Sequence, residues 1–505
     1  MSANFFNTDH ITKNLKSTVI SGGSYVVASR AFTQLVRIVS TVILARLLSP
    51  AEFGLIAMVL AITGFVTVFS DLGLSHATIQ RDKINKTQVS NLFWINSAAG
   101  LAAMAILCLL SPVIAWFYNE PKLILIACTL SAAFIFAGFT VQHHSLLTRQ
   151  LKFGSLAIVN IIAVVTSVCC GVIAAFMGAA VWSLVIMVLV ETLARMVGVW
   201  IACSWRPAAF VRHTDIAALL KFGGNLTAFN ITNYFSRNMD KVLIGWYWGA
   251  AALGLYSKAY SLLLLPIRQL TNPVATVAVP TLSRLQNDPA RYRRYYLRAV
   301  SLIAFITMPA VMYLIIMSDQ LIVLLLGEKW VKAADIFAVL GISALFQPVF
   351  NTAGWLFVSS GKTNKLFKWG IISSVAIVAS FAAGLRFGPI AVAALYSTVI
   401  ILLGFPALWY ASRATSVDFK SIVTTILWPL TAVLPLGITL IGFKSAFGQI
   451  NSNAVQLAAG LIITLFVYLG ISSMHSAGME NIQEILSLIK KSISFKRYQL
   501  RPDLE

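Results

Sequence analysis

Acidic side chains are scarce in this sequence: 17 Asp and Glu stand against 38 Lys and Arg in 505 residues. Charged residues of both signs reach only 11%, and hydrophobic residues make up 58%. Soluble globular domains carry about twice that share of charge, so that class is excluded. Cysteine is sparse too. Cys108, Cys128, Cys169, Cys170 and Cys203 lie in or at the ends of apolar spans, without metal-ligand spacing. They read as buried free thiols, and no metal is expected. No glycine-rich loop that would cradle a phosphate is found. The longest polar stretches are residues 1–21 and the tail after Ser476. A glycosyltransferase, ligase or polymerase would need a catalytic acid, base or nucleotide site, and the last two would need large periplasmic loops. Neither enzymatic activity nor a cofactor is expected. The first apolar stretch is interrupted by arginine and lacks a cleavage site, so no cleavable signal peptide is expected.

What the chain has is apolar runs of membrane-spanning length from end to end. Fourteen spans are expected, centred near residues 34, 61, 102, 133, 166, 192, 235, 264, 308, 345, 376, 400, 432 and 464. The fold class follows: an all-α polytopic membrane protein. The net charge of +21 sits in short basic clusters between alternate spans, among them Arg81-Lys83-Lys86, Arg149-Lys152 and Arg284 to Arg298. That is the positive-inside pattern, and nucleic acid is not the expected partner. The alternation places both termini in the cytoplasm. Residues 208–221 and the tail from Ile482 to Ile493 have the spacing of short interfacial amphipathic segments.

Residues 22–57 organise the rest. This stretch carries Arg30, Gln34 and Arg37 at i, i+4 and i+7, on one helical face. Arginine at mid-membrane costs about 2.5–3.5 kcal/mol on insertion scales, so these residues must face protein or a watery cavity. The stretch recurs at 222–257. Gly23 pairs with Gly223, Arg37 with Arg237, Gly54 with Gly254 and Leu55 with Leu255, each 200 residues apart. Asn230, Asn233, Tyr234 and Arg237 occupy the register of Arg30, Thr33, Gln34 and Arg37. The expected organisation is a six-helix lobe (1–205), a second six-helix lobe repeating it (206–415), two further helices (416–475) and a cytoplasmic tail (476–505). Arginines on the same face of two related helices point to a central site between the lobes.

Three segments resemble a known family: ARLLSPAEFGLIAM (45–58), FSDLGLSHATIQR (69–81) and NLFWIN (91–96). They are similar to the polysaccharide-transporter family, in particular Wzx-type exporters of the colanic-acid kind. Its superfamily also contains lipid II flippases and multidrug and toxin antiporters. The resemblance implies transfer of a polyprenyl-pyrophosphate-linked oligosaccharide repeat unit from the cytoplasmic to the periplasmic leaflet of the bacterial inner membrane. It implies membrane lipids as partners, with polysaccharide polymerase and export machinery as further ones. The lipid II branch uses cavity arginines in its first span, and Arg30 and Arg37 match that in kind.

The implied substrate assigns roles. A pyrophosphate needs guanidinium or ammonium groups, and Arg30, Arg37, Arg237, Lys241 and Arg268 are the candidates. The competing reading is an interlobe hydrogen bond to backbone carbonyls for Arg37 and Arg237, a place near the cytoplasmic mouth for Arg30, and snorkelling or structural pairing for Lys241 and Arg268; Asp240, beside Lys241 and three residues from Arg237, offers local pairing. Sugars need hydrogen-bond groups: Asn230, Asn233, Tyr234, Gln269, Asn272, Gln347 and Asn351 are available, and Gln34 is a further cavity residue on the face of Arg30 and Arg37. Glu191 and Arg195, at i, i+4, are either a structural ion pair or part of a coupling site. Asp71 either caps and pairs near the cytoplasmic face or takes part in ion coupling. The rival function is a cation-coupled drug antiporter, which should line its cavity with acids rather than arginines.

Overall fold

The computed structural model describes residues 15–71, 78–79, 84–211, 217–448 and 452–499, with side chains described for 22–64, 78–79, 84–211, 234, 238–448 and 452–487. Among these residues the chain is helical, with no strand. It forms two compact units, Met1–Ser257 and Lys258–Glu505.

The first unit opens with α1 (Leu15–Leu47) and α2 (Pro50–Asp71). The turn between them is a helix-start signal: Glu52 accepts from the Ser49 backbone N–H at 2.5 Å and its hydroxyl at 3.0 Å, with Pro50 opening the helix. Next come α3 (Lys86–Tyr118), α4 (Leu123–Arg149), α5 (Phe153–Phe176) and α6 (Val181–Ala202). A reciprocal capping box between Asn85 and Gln88 starts α3, and Asn119 ends it with φ 54°. Helices α3 and α4 approach through small residues. A Cβ on Gly100 would stand 2.5 Å from the Phe134 carbonyl oxygen, and one on Gly138 2.7 Å from that of Asn96. Cys108 and Ser131 (3.3 Å) and Ser111 and Cys128 (3.2 Å) extend the same seam. Such close backbone approach drives helix pairing where the solvent is as apolar as the side chains.

The segment Ala217–Arg284 is broken at Gly249 (φ 76°, ψ −175°) into α7 (217–248) and α8 (250–284). Only glycine takes that backbone conformation without strain. The second unit continues with α9 (Pro289–Ile316), the short α10 (Ser318–Leu326) and α11 (Lys332–Ala344). Then follow α12 (Gln347–Phe350), α13 (Ala353–Ser359), α14 (Thr363–Gly384) and α15 (Pro389–Ser412). It ends with α16 (Phe419–Phe447), α17 (Asn453–Ser473) and the tail helix α18 (Ser476–Gln499). The tail is fastened to α9: Arg298 pairs with Glu480 at 3.0 Å and also with Glu484, and buried Asn481 donates to Ser301 at 2.8 Å.

Eleven helices are long and apolar enough to cross a membrane, or twelve if the pair Lys332–Ala344 and Gln347–Ser359, bent by 42°, is one span. That search covered described residues only, which shortens α2 to Pro50–Gly64 and leaves part of α7 aside. Thirteen of the fourteen expected centres fall inside helices, and the one near 345 falls at the break of the bent pair. The outer surface is apolar, with Leu109 and Trp116 about four-fifths exposed (78% and 80%). In water that surface would aggregate; in hydrocarbon it is the solvated face. Two thiols depart from expectation. Cys169 and Cys170 are exposed on that face, while Cys203 is buried. Residues 203–211 form no helix, and 212–216, inside the expected amphipathic segment, lie outside the described residues.

Candidate functional site

The first unit concentrates its charge on one acid. Glu191, on α6, is mostly buried, with 16% of its side chain exposed. Its Oε1 accepts from Arg37 Nη2 at 2.6 Å and from Arg195 Nη2 at 2.7 Å. Arg195 stands one turn further along α6, so that bond is the local i, i+4 contact. Arg37 reaches Glu191 from α1, 154 residues away in sequence. Asn160 on α5 accepts a further bond from Arg195 Nη2 at 3.2 Å, and Arg195 Nε is buried without a partner. A cavity of about 340 Å³ opens beside the cluster, lined by Ala137, Thr140, Val141 and His144 of α4 and Glu191, Thr192 and Arg195 of α6. Hydrocarbon cannot solvate these groups, so each must find its partner in protein or cavity water.

Arg30 lies two turns before Arg37 on α1. It is exposed, and its side chain has no hydrogen-bond partner among the described residues. Gln34, between them, is half-buried. Neighbouring hydroxyls turn inward: Thr33 donates to the Ser29 carbonyl at 2.8 Å, and Ser29 to that of Ala157 on α5 at 3.3 Å.

The counterpart face on α7 is differently occupied. The Tyr234 hydroxyl contacts the Leu60 and Ala61 carbonyls of α2 at 2.9 and 3.0 Å, which engages it in helix packing. A Cβ on Gly64 would overlap that hydroxyl, at 2.2 Å. Lys241 donates from Nζ to Asn238 at 3.0 Å. Asp240 is buried, accepts from the Lys241 backbone N–H at 2.8 Å, and lies by the Tyr256 hydroxyl. The side chains of Asn230, Asn233 and Arg237, like that of Asp71, lie outside the described residues. In the second unit Arg268, Gln269 and Asn272 are exposed on α8, and Gln347 donates to the Tyr396 hydroxyl at 3.3 Å.

Thus Arg37, Glu191 and Arg195 come together, Arg30 stands apart, two turns before Arg37 on α1, and Lys241 and Asp240 form a separate local group. Sequence reasoning missed Asn160 and the Arg37–Glu191 bond. The scarcity of acids was the available signal: a membrane arginine needs a counter-charge, and Glu191 is one of few acids within the spans. His143 is fully buried, stacked on Trp200 at 4.3 Å between ring centroids and edge-on to Trp205 at 5.0 Å. Among the described residues, no three His, Cys, Asp or Glu side chains are grouped to hold a metal.

Known proteins share this architecture. The lipid II flippase MurJ in an inward closed conformation superposes with a TM-score of 0.72 at 17% identity, over 89% of this chain and 98% of that one. An inward-facing multidrug resistance MATE transporter gives 0.61 at 14% identity, over 78% and 96%. In sequence, the chain is 26% identical over 465 residues to the teichuronic acid biosynthesis protein TuaB of Bacillus subtilis (strain 168), spanning 90% of this chain and 96% of the relative. It is 26% identical over 373 residues to the lipopolysaccharide biosynthesis protein WzxC of Escherichia coli (strain K12), spanning 74% and 76%. The family model described as Polysaccharide biosynthesis protein matches residues 43–335, more than half of the chain. This multi-pass membrane protein therefore belongs to the polysaccharide biosynthesis protein family, on the fold of the lipid II flippase and the multidrug transporters.

Proposed function

We propose that the protein flips polyprenyl-pyrophosphate-linked oligosaccharide repeat units from the cytoplasmic to the periplasmic leaflet of a bacterial inner membrane, by alternating access with an arginine-lined cavity. The observation that carries this reading is the charge balance at the site. Two guanidiniums (Arg37 and Arg195) pair with one carboxylate (Glu191), which leaves one positive charge, and exposed Arg30, two turns before Arg37 on α1, adds a second. An anionic headgroup relieves that excess, and Arg offers it a planar fork of donors. A cationic drug would add to it. The names of two relatives, a teichuronic acid biosynthesis protein and a lipopolysaccharide biosynthesis protein, support the substrate class.

In this reading the protein is a carrier rather than an enzyme. Both termini are cytoplasmic, lobes 1–205 and 206–415 are the repeats that alternate, and helices 416–475 line a groove for the lipid tail. Arg237 extends the cationic face by its register with Arg37, and Lys241 and Arg268 meet the headgroup along its route. The sugar contacts Gln34, Asn230, Asn233 and Tyr234, and polymerase and export machinery take the product. The test is transfer of defined polyprenyl-pyrophosphate oligosaccharides in proteoliposomes holding the purified protein. Transfer above protein-free vesicles is expected. Extrusion of cationic drugs without lipid-pyrophosphate transfer would replace this reading with that of a drug antiporter.

A further inference from the structure

The two arginines on Glu191 are not equivalent. Arg195 belongs to the same helix and is anchored a second time on Asn160. Arg37 comes from another helix, and its only side-chain bond among the described residues is to that one carboxylate oxygen. Its side chain is 44% exposed. A guanidinium has five N–H donors, so most of the Arg37 fork is open to a better acceptor. A pyrophosphate offers several charged oxygens and can take two parallel bonds where Glu191 Oε1 takes one.

Removing one partner of a buried ion pair normally strands the other charge, at considerable cost. Here it does not. If Arg37 leaves, Glu191 still has Arg195 at 2.7 Å. The second arginine makes the first one releasable.

We propose that Glu191 is a substitute counter-ion for Arg37. It holds the guanidinium while the site is empty, yields it to the pyrophosphate of the arriving substrate, and takes it back as the headgroup departs. This rests on the function proposed above and adds a residue to it. Glu191 is then a positioning residue with two effects. It lowers affinity, because the substrate must displace it. It speeds release, because it competes for Arg37 at the end of the cycle. It also ties α1 to α6 in the empty state and frees α1 when substrate is bound, so that capture of the anion is coupled to movement of the first span.

The experiment compares wild type, Glu191→Gln and Glu191→Asp as full-length protein in proteoliposomes. Binding is read with a short-chain polyprenyl pyrophosphate, and turnover with the lipid-linked oligosaccharide. Glu191→Gln keeps the shape and an acceptor but removes the charge. It should bind the probe about tenfold tighter, close to the low end of the couplings measured for close charge pairs, and turn over more slowly, so that KM and kcat fall together. Glu191→Asp keeps the charge but withdraws it by one methylene, and should shift both in the same direction by less. A purely structural role for Glu191 would weaken binding in both variants and lower their melting temperatures. Unchanged or weaker probe binding in both variants, with wild-type binding intact, overturns the counter-ion role and leaves the proposed substrate standing. If the wild type itself does not bind the pyrophosphate, both fall.

Discussion

Gly54 and Gly254, 200 residues apart, fix each other as glycines. A Cβ on Gly54 would lie 1.7 Å from the Ala250 carbonyl oxygen, and one on Gly254 1.9 Å from that of Pro50. The contact is reciprocal: each glycine meets the carbonyl four residues before the other. A two-fold relation between the repeated segments produces this pattern, as at an isologous interface. Each alanine substitution drives a methyl into backbone that cannot rotate away. Gly54→Ala and Gly254→Ala should each cost about 1–3 kcal/mol, the usual range for overpacking, and lose export. Gly23, which has a repeat partner in sequence but nothing within 4 Å of its Cβ position, is the control. Gly23→Ala should be neutral or gain up to about 1 kcal/mol of helix stability. Melting in detergent reads all three, and wild-type stability in Gly54→Ala would defeat the close-contact account.

Arg37→Ala should abolish export while the protein still inserts, because Glu191 keeps Arg195 and no buried carboxylate is stranded. Arg30→Ala, which removes an unpaired charge, should also insert normally and export poorly. Arg237→Ala tests the register argument on α7. Lysine at position 37 should rescue only partly, since an ammonium lacks the bidentate fork. Polysaccharide export at matched expression is the readout, and full export by Arg37→Ala would remove that residue from the site.

Reporter fusions test the topology. The eight positions lie at helix ends or junctions: Asn85, Gln150, Asn287 and Thr363 on one set, Ala51, Asn119, Ala250 and Glu328 on the other. The first four should report cytoplasm and the second four periplasm, following the basic clusters. Ala51 and Ala250 on opposite sides of the membrane would contradict a same-orientation repeat.

The membrane potential should assist export. Each net negative charge moved outward from an electrically negative interior gains about 2.3 kcal/mol per 100 mV. A tilt of α1 that does not carry its arginines across the field would leave the field acting chiefly on the headgroup. In proteoliposomes with a potassium diffusion potential, a donor-side-negative potential should accelerate transfer and the reverse polarity should slow it. Rates indifferent to polarity but responsive to a proton or sodium gradient would indicate electroneutral exchange.

One helix cap should give a pH signature. The Ser421 backbone N–H donates to Asp418 Oδ2 at 3.0 Å at the start of α16, and this bond holds the carboxyl below its ordinary value of 3.8. A pKa lowered in the folded state means the stabilisation is complete above 3.8 and fades as pH falls through the lower folded value. Asp418→Asn keeps a capping side chain without the charge. The melting difference between wild type and this variant should therefore hold steady at neutral pH and shrink below pH 3.8. A difference that grows on acidification would reverse the sign of the argument.

The spans were legible because hydrocarbon imposes one rule, that backbone polar groups bond within the helix. Hydropathy alone then locates the helices, and even the break between Ala344 and Gln347 lies inside an expected span. Charge partners were harder to read. Glu191 and Arg195 share a helix face and could be paired from spacing, whereas Arg37 to Glu191 crosses 154 residues and depends on how α1 lies beside α5 and α6. Tyr234 shows the opposite limit. Its polar face suggested a ligand, but in the fold its hydroxyl reaches the α2 carbonyls. Periodicity shows which way a side chain faces, and the neighbouring helix decides what it meets there.

The non-helical segment after α6 bears on biogenesis. Ser90 accepts from the Ala208 N–H at 3.0 Å, Trp94 donates to the Ala208 carbonyl at 2.9 Å, and buried Asn91 both donates to and accepts from Val211, at 2.8 and 3.0 Å. These side chains leave the ribosome nearly 120 residues before the backbone that completes them. At about 5–20 residues per second, the third span waits roughly 6–24 s for its stitches. During that interval its N-terminal end, with Ser90, Asn91 and Trp94, lacks those partners. A half-protein stopped at residue 205 would keep it in that condition permanently.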